Sequence, residues 1–68
     1  MDLTIEIEQE EDGRWLAEVM TLPGAMAYGS SREDAVTRVK ALALRELAER
    51  IEHGEDGSEL ESVSFLAA

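Results

Sequence analysis

The run from Gly13 to Ala35 limits the folds open to this chain more than any other stretch. Gly13-Arg14-Trp15-Leu16-Ala17-Glu18-Val19 reads as the return strand of a hairpin, entered through Glu10-Glu11-Asp12-Gly13. An Asp-Gly step between alternating runs is a strong hairpin signal, because glycine accepts the positive φ that the turn requires. Leu22-Pro23-Gly24 suits a type II turn, with proline presetting the first central torsion and glycine taking the positive one. Ala25 to Gly29 then has room for only a short strand, and Ser30-Ser31-Arg32-Glu33-Asp34-Ala35 opens a helix. Ser31 as N-cap with Asp34 three residues on is an Asp variant of the capping box, and Ser30 with Glu33 fits the same pattern one residue earlier.

The flanks complete the element order. Leu3, Ile5 and Ile7 alternate with Thr4, Glu6 and Glu8, the period of a strand with one buried and one wet face. On the return strand Trp15, Ala17 and Val19 share one side, and Leu16, Glu18 and Met20 the other. The helix is expected from about Arg32 to Ile51 or His53, ending at Gly54, which suits a left-handed cap. At 100° per residue Ala35, Val36, Val39, Leu42, Ala43, Leu47 and Ile51 fall on one apolar face, with Asp34, Thr37, Arg38, Arg45, Glu49 and Glu52 opposite. Asp34 with Arg38, Arg45 with Glu49, and Glu46 with Arg50 are spaced for i,i+4 ion pairs. An acidic loop over 54–62 leads to a last strand over 62–68, with Val63 and Phe65 facing the core.

The order β-β-β-α-β defines an α+β domain over residues 1–68. A right-handed crossover from the helix back beside the first strand makes the fourth strand parallel to it. The expected architecture is a four-stranded mixed sheet, order 3-2-1-4, with one helix packed on one face. The other face then presents Thr4, Glu6, Glu8, Leu16, Glu18, Met20 and Leu66, acidic and apolar together and without a base. The edge strands, over 25–29 and 63–68, carry no charged side chains and invite strand pairing.

Size and charge narrow the function. A domain of 68 residues buries about 60% of its unfolded surface, and its core supplies roughly 3–5 kcal/mol. With no cysteine for a disulfide or thiolate zinc site, self-association is the remaining support, and a homodimer or larger homo-oligomer is expected. A formal net charge of -10 with only six Lys and Arg argues against direct nucleic-acid binding, which normally requires neutralising phosphates. Residues 1–13 and 51–68 hold eleven of the acids and no base, whereas the middle is nearly balanced. No stretch reads as a secretion signal or a membrane span, so a cytoplasmic location is expected.

No catalytic or cofactor constellation is legible. His53, the sole histidine, sits where it can interact with the last helix carbonyls. Glu55, Asp56, Glu59 and Glu61 lack the order of an EF-hand loop. No phosphate-cradling glycine pattern occurs, so neither an enzyme nor a cofactor or metal is expected.

The succession Gly13-x-Trp15-x-Ala17-Glu18-Val19, Leu22-Pro23-Gly24 and Tyr28-Gly29-Ser30-Ser31-Arg32-Glu33-Asp34-Ala35 resembles the N-terminal domain of HicB-type antitoxins. Those domains show a Gly-x-aromatic-x-Ala-Glu-Val strand, a Leu-Pro-Gly turn and a Tyr-Gly-x-Ser/Thr-x-x-Glu-Ala step into a long helix. The resemblance implies a truncated ribonuclease-H-like fold and a partner of HicA type, a small basic ribonuclease silenced when the antitoxin covers its active surface. It does not imply nuclease chemistry here, since Glu6 and Glu8 alternate onto the wet face instead of clustering inward. Full-length relatives commonly add a C-terminal operator-binding domain for which this chain has no sequence, so DNA-binding autoregulation is not expected. The candidate contacts, inferred from strand alternation, are Glu6, Glu8, Leu16, Glu18 and Met20. The alternative is a stand-alone HicB-like homo-oligomeric binding or scaffold module without a toxin.

Overall fold

A computed structural model describes residues 1–67. Its elements are β1 (Asp2–Gln9), β2 (Trp15–Val19), β3 (Met26–Gly29), α1 (Arg32–Glu52) and β4 (Ser64–Ala67), with one 3-10 turn at Ser58–Glu61. The sheet has the order β3-β2-β1-β4. β2 is antiparallel to both β1 and β3, and β4 runs parallel to β1. The expected α+β arrangement, one helix on one face of a mixed four-stranded sheet, is the observed one.

Local chemistry sets each connection. In the first hairpin the Gly13 N–H donates to the Glu10 carbonyl at 3.0 Å, and Gly13 takes φ +91°. The Asp12 carboxylate accepts from the Arg14 backbone N–H at 3.1 Å and from its Nε at 2.8 Å. In the second, Ala25 N–H donates to the Leu22 carbonyl at 3.0 Å with Gly24 at φ +90°, the hydrogen bond and torsion of a type II turn. Because that bond occupies Ala25, the third strand begins at Met26, one residue later than expected.

The helix begins at Ser31, whose Oγ accepts the Asp34 N–H at 3.0 Å. The reciprocal arm differs from the usual box. Asp34 Oδ2 accepts the N–H of Ser30 at 3.0 Å, not that of the cap residue itself. At the other end the Glu55 N–H donates to the Arg50 carbonyl and the Gly54 N–H to that of Ile51, with Gly54 at φ +92°. This is a Schellman motif, and His53 adds Nδ1 at 2.7 Å from the Glu49 carbonyl oxygen.

The core lies between α1 and the covered sheet face. Leu3 and Ile5 of β1, Ala17 and Val19 of β2, Leu22 and Ala25 of the turn, and Ala35, Val39, Ala43 and Leu47 of α1 are buried. The helix residues repeat every fourth position, a narrower stripe than the seven-residue face read from the sequence. Val36 and Leu42 flank it half-buried, and Ile51 is 45% exposed. A 21-residue helix is about 31 Å long and an eight-residue strand about 26 Å, so α1 overruns the sheet and Ile51 lies against Gly57 of the following loop.

Two of the three expected helix pairs form, Asp34–Arg38 at 3.1 Å and Glu46–Arg50 at 3.3 Å. Arg45–Glu49 is not among the ion pairs of the described residues. The last strand starts at Ser64 instead of residue 62, because the 3-10 turn carries the chain to Glu61 and Ser62 to Val63 bridge into the sheet. Val63 and Phe65 pack half-buried against the core, as expected, and Ala68 lies outside the described residues.

Candidate protein-binding face

With α1 covering one side, strand alternation delivers every second residue to the other. The register sorts them into cross-strand rows. Glu6 of β1 pairs with Glu18 of β2, which pairs with Met26 of β3. Glu8 pairs with Leu16, which pairs with Tyr28. Thr4 pairs with Leu66 of β4. Met20 follows the end of β2 on the same alternation.

The five residues singled out from the sequence all reach this face. Glu6, Glu8 and Met20 are exposed, and Leu16 and Glu18 are half-buried. Glu6, Glu8, Leu16 and Glu18 come together, with Ile7, around one shallow, open depression. Met20 stands apart from it, 58% exposed.

Two further contributors, Met26 and Tyr28, were missed. They are 45% and 43% exposed and lengthen the rows begun by Glu6 and Glu8. The signal was present, since a tight turn after Leu22 pairs residues 26 and 28 with Glu18 and Leu16 and so fixes their side of the sheet.

The expectation of a face without any base needs correction. Arg14, just before β2, lies with Cζ 4.3 Å from the Tyr28 ring centroid while its Nε bonds to Asp12. The arginine therefore sits at one corner, held by an aromatic ring and a carboxylate. The Arg14 backbone N–H, with the guanidinium beside it, holds the Asp12 carboxyl below its ordinary value and keeps that pair charged.

The centre of the face is electrostatically unbalanced. Glu6 and Glu18 are directly opposite on neighbouring antiparallel strands, which places their Cβ atoms about 5 Å apart. Like charges in that position destabilise a sheet. Chemically the arrangement accepts hydrogen bonds from guanidinium or ammonium groups. Met20 and Met26 supply adaptable thioethers, and Leu16, Tyr28 and Leu66 add apolar area. Among the described residues no group of three or more His, Cys, Asp or Glu side chains is placed to hold a metal ion. No helix among them is long and apolar enough to cross a membrane. The chain matches no family model, no curated protein and no solved structure.

Proposed function

We propose that this chain is a HicB-type antitoxin module, acting in the cytoplasm, that uses its uncovered sheet face to cover a small basic RNA-cleaving protein of HicA type. One observation supports the reading above the others: Glu6 faces Glu18 across the ladder, with Glu8 in the next row. That placement costs the isolated fold, and an incoming cation reverses its sign. A ribonuclease surface built to hold phosphates offers such cations, so the acidic face competes for the ground that RNA would occupy. The surrounding Leu16, Met20, Met26 and Tyr28 add apolar contact to the charge complementarity. The role is binding, with no chemistry of its own.

Co-expression with a HicA-type toxin from the same source tests this. Rescue of growth, and a complex whose retention weakens steeply as salt rises, are the expected results. The reading is wrong if no basic protein is retained at low salt, or if the Glu6→Lys, Glu18→Lys double variant retains and neutralises the toxin as well as the parent does. A second reading, a stand-alone homo-oligomeric binding or scaffold module without a toxin, is favoured by the apolar side chains exposed on the same face.

A further inference from the structure

The two edges of the sheet are not equivalent. On β3, the bond from Val19 N–H to the Ala25 carbonyl sets an alternation that turns the backbone groups of Met26 and Tyr28 outward. The Met26 N–H is already donated to the Gly24 carbonyl at 3.0 Å, and Pro23 stands in the turn before it, so this edge is partly closed. On β4, the Ser64 N–H donates to the Met1 carbonyl at 3.0 Å, which turns the N–H and C=O of Phe65 and Ala67 away from β1. Among the described residues no strand pairs with that side. Natural edges are guarded by charge, proline or a bulge. Residues 62–67 contain none of the sixteen acids of the chain, none of its bases and no proline.

The side chains of β4 are also incompletely covered. Leu66 is 66% exposed on the uncovered face. On the other face α1 lies over β3 and β2, and Phe65 is only half-buried, with Lys40 Nζ 5.8 Å from its ring centroid.

We infer that β4 pairs antiparallel with β4 of a second copy of this chain, about a two-fold axis beside Leu66, joining two four-stranded sheets into one of eight strands. In that register Phe65 bonds to the partner's Ala67 and Ala67 to the partner's Phe65. The two Leu66 residues then form a non-hydrogen-bonded pair with Cα atoms about 4.5 Å apart. Charge selects a second copy as the occupant. At a net charge of -10, two copies repel wherever their acids meet, and this uncharged edge lets them approach without opposing carboxylates. The nearest acid on β1, Asp2, already accepts the Ser64 Oγ–H at 2.6 Å. A basic protein has its complement on the acidic face, not here. A two-fold contact is self-complementary by construction.

The inference stands independently of the antitoxin reading, and salt separates the two. Four residues a side bury far less than the roughly 1,200 Å² of a stable interface, so the dimer is weak and concentration-dependent. Screening strengthens association between two acidic copies and weakens capture of a basic protein.

The absence of cysteine makes a direct test available. A Leu66→Cys pair across the dyad falls within the Cα separation of about 4.4–6.8 Å that a disulfide accepts. Under mild oxidation Leu66→Cys is expected to form covalent dimer at least about tenfold faster than Met20→Cys, which is similarly exposed but stands at the end of β2, two strands in from this edge. By sedimentation velocity the parent gains mass with concentration, more so at high salt. Leu66→Lys, which sets two ammonium groups face to face, and Ala67→Pro, which removes an outward N–H, both lose this gain while keeping the parent far-UV spectrum. Equal cross-linking at positions 66 and 20, a parent that stays monomeric at high salt and submillimolar concentration, or a dimer that survives Leu66→Lys with its fold intact would each overturn the inference.

Discussion

Gly29 ends β3 directly against the backbone of Ala35, so that a Cβ at position 29 would stand 2.8 Å from the Ala35 Cα and 2.9 Å from the Asp34 carbonyl carbon. The obstacle is main chain in the first turn of α1, not the movable tip of a side chain. Gly29→Ala must therefore push the helix off the sheet beside Ala17 and Val19, and overpacking of that kind costs about 1–3 kcal/mol or more. Gly24→Ala meets no atom within 4 Å but must hold φ +90°, a cost of about 1–2 kcal/mol. Thermal unfolding followed by circular dichroism should rank Gly29→Ala below Gly24→Ala, and both below the parent. A Gly29→Ala protein that melts with the parent would disprove the tight strand-to-helix junction.

The start of α1 makes a second prediction, in pH. The Ser30 backbone N–H and then the Arg38 guanidinium hold the Asp34 carboxyl below its ordinary value of 3.8. A carboxyl depressed in the folded state stabilises fully above its unfolded pKa, and the gain disappears as pH falls through the folded one. The melting temperatures of the parent and Asp34→Asn should thus differ above about pH 5 and converge in acid below 3.8. Ser31→Ala removes the oxygen that accepts the Asp34 N–H and should cost about 1 kcal/mol at every pH, since no titration is involved. A difference for Asp34→Asn that widened toward acid would contradict the assigned bonds.

These junctions were legible because their chemistry is local. Ser31 with Asp34, Pro23 with Gly24, and Asp12 with Gly13 each specify a torsion or a hydrogen bond within four residues, so element order and sheet order followed from them. What the sequence did not disclose depends on distances across the fold. Ile51 shares the apolar phase of Leu47, yet nothing in the helical repeat records that the sheet ends first. Arg14 looks like a turn residue until β3 brings Tyr28 beneath its guanidinium. Met26 and Tyr28 differ from these, since the tight turn after Leu22 pairs them with Glu18 and Leu16 and so places them on the uncovered face by local chemistry alone.

The overrun of the helix is measurable. Leu47 is 4% exposed and Ile51 45%, although a helical wheel treats them alike. Leu47→Ala should cost about 2–5 kcal/mol in urea unfolding, enough to leave so small a domain largely unfolded. Ile51→Ala should cost well under half as much, because much of its surface already meets water. Equal losses would mean that the loop through Gly57 closes over Ile51 as a true extension of the core.

The opposition of Glu6 and Glu18 predicts that stability and binding move in contrary directions. Glu18→Lys replaces a repulsive cross-strand pair with an attractive one, and favourable pairs of this kind contribute about 0.2–1 kcal/mol. It also relieves part of the general negative self-repulsion. The isolated variant should melt above the parent, by a margin that shrinks as salt rises. Glu18→Gln removes the repulsion without adding the attraction, and its melting temperature should fall between the two. Capture of a basic protein should follow the reverse order, with the parent strongest and Glu18→Lys weakest. A destabilised Glu18→Lys would mean that Glu18 serves the fold, and the case for an acidic docking face would lose its central pair. Stabilisation with undiminished capture would move the contact to some other part of the surface.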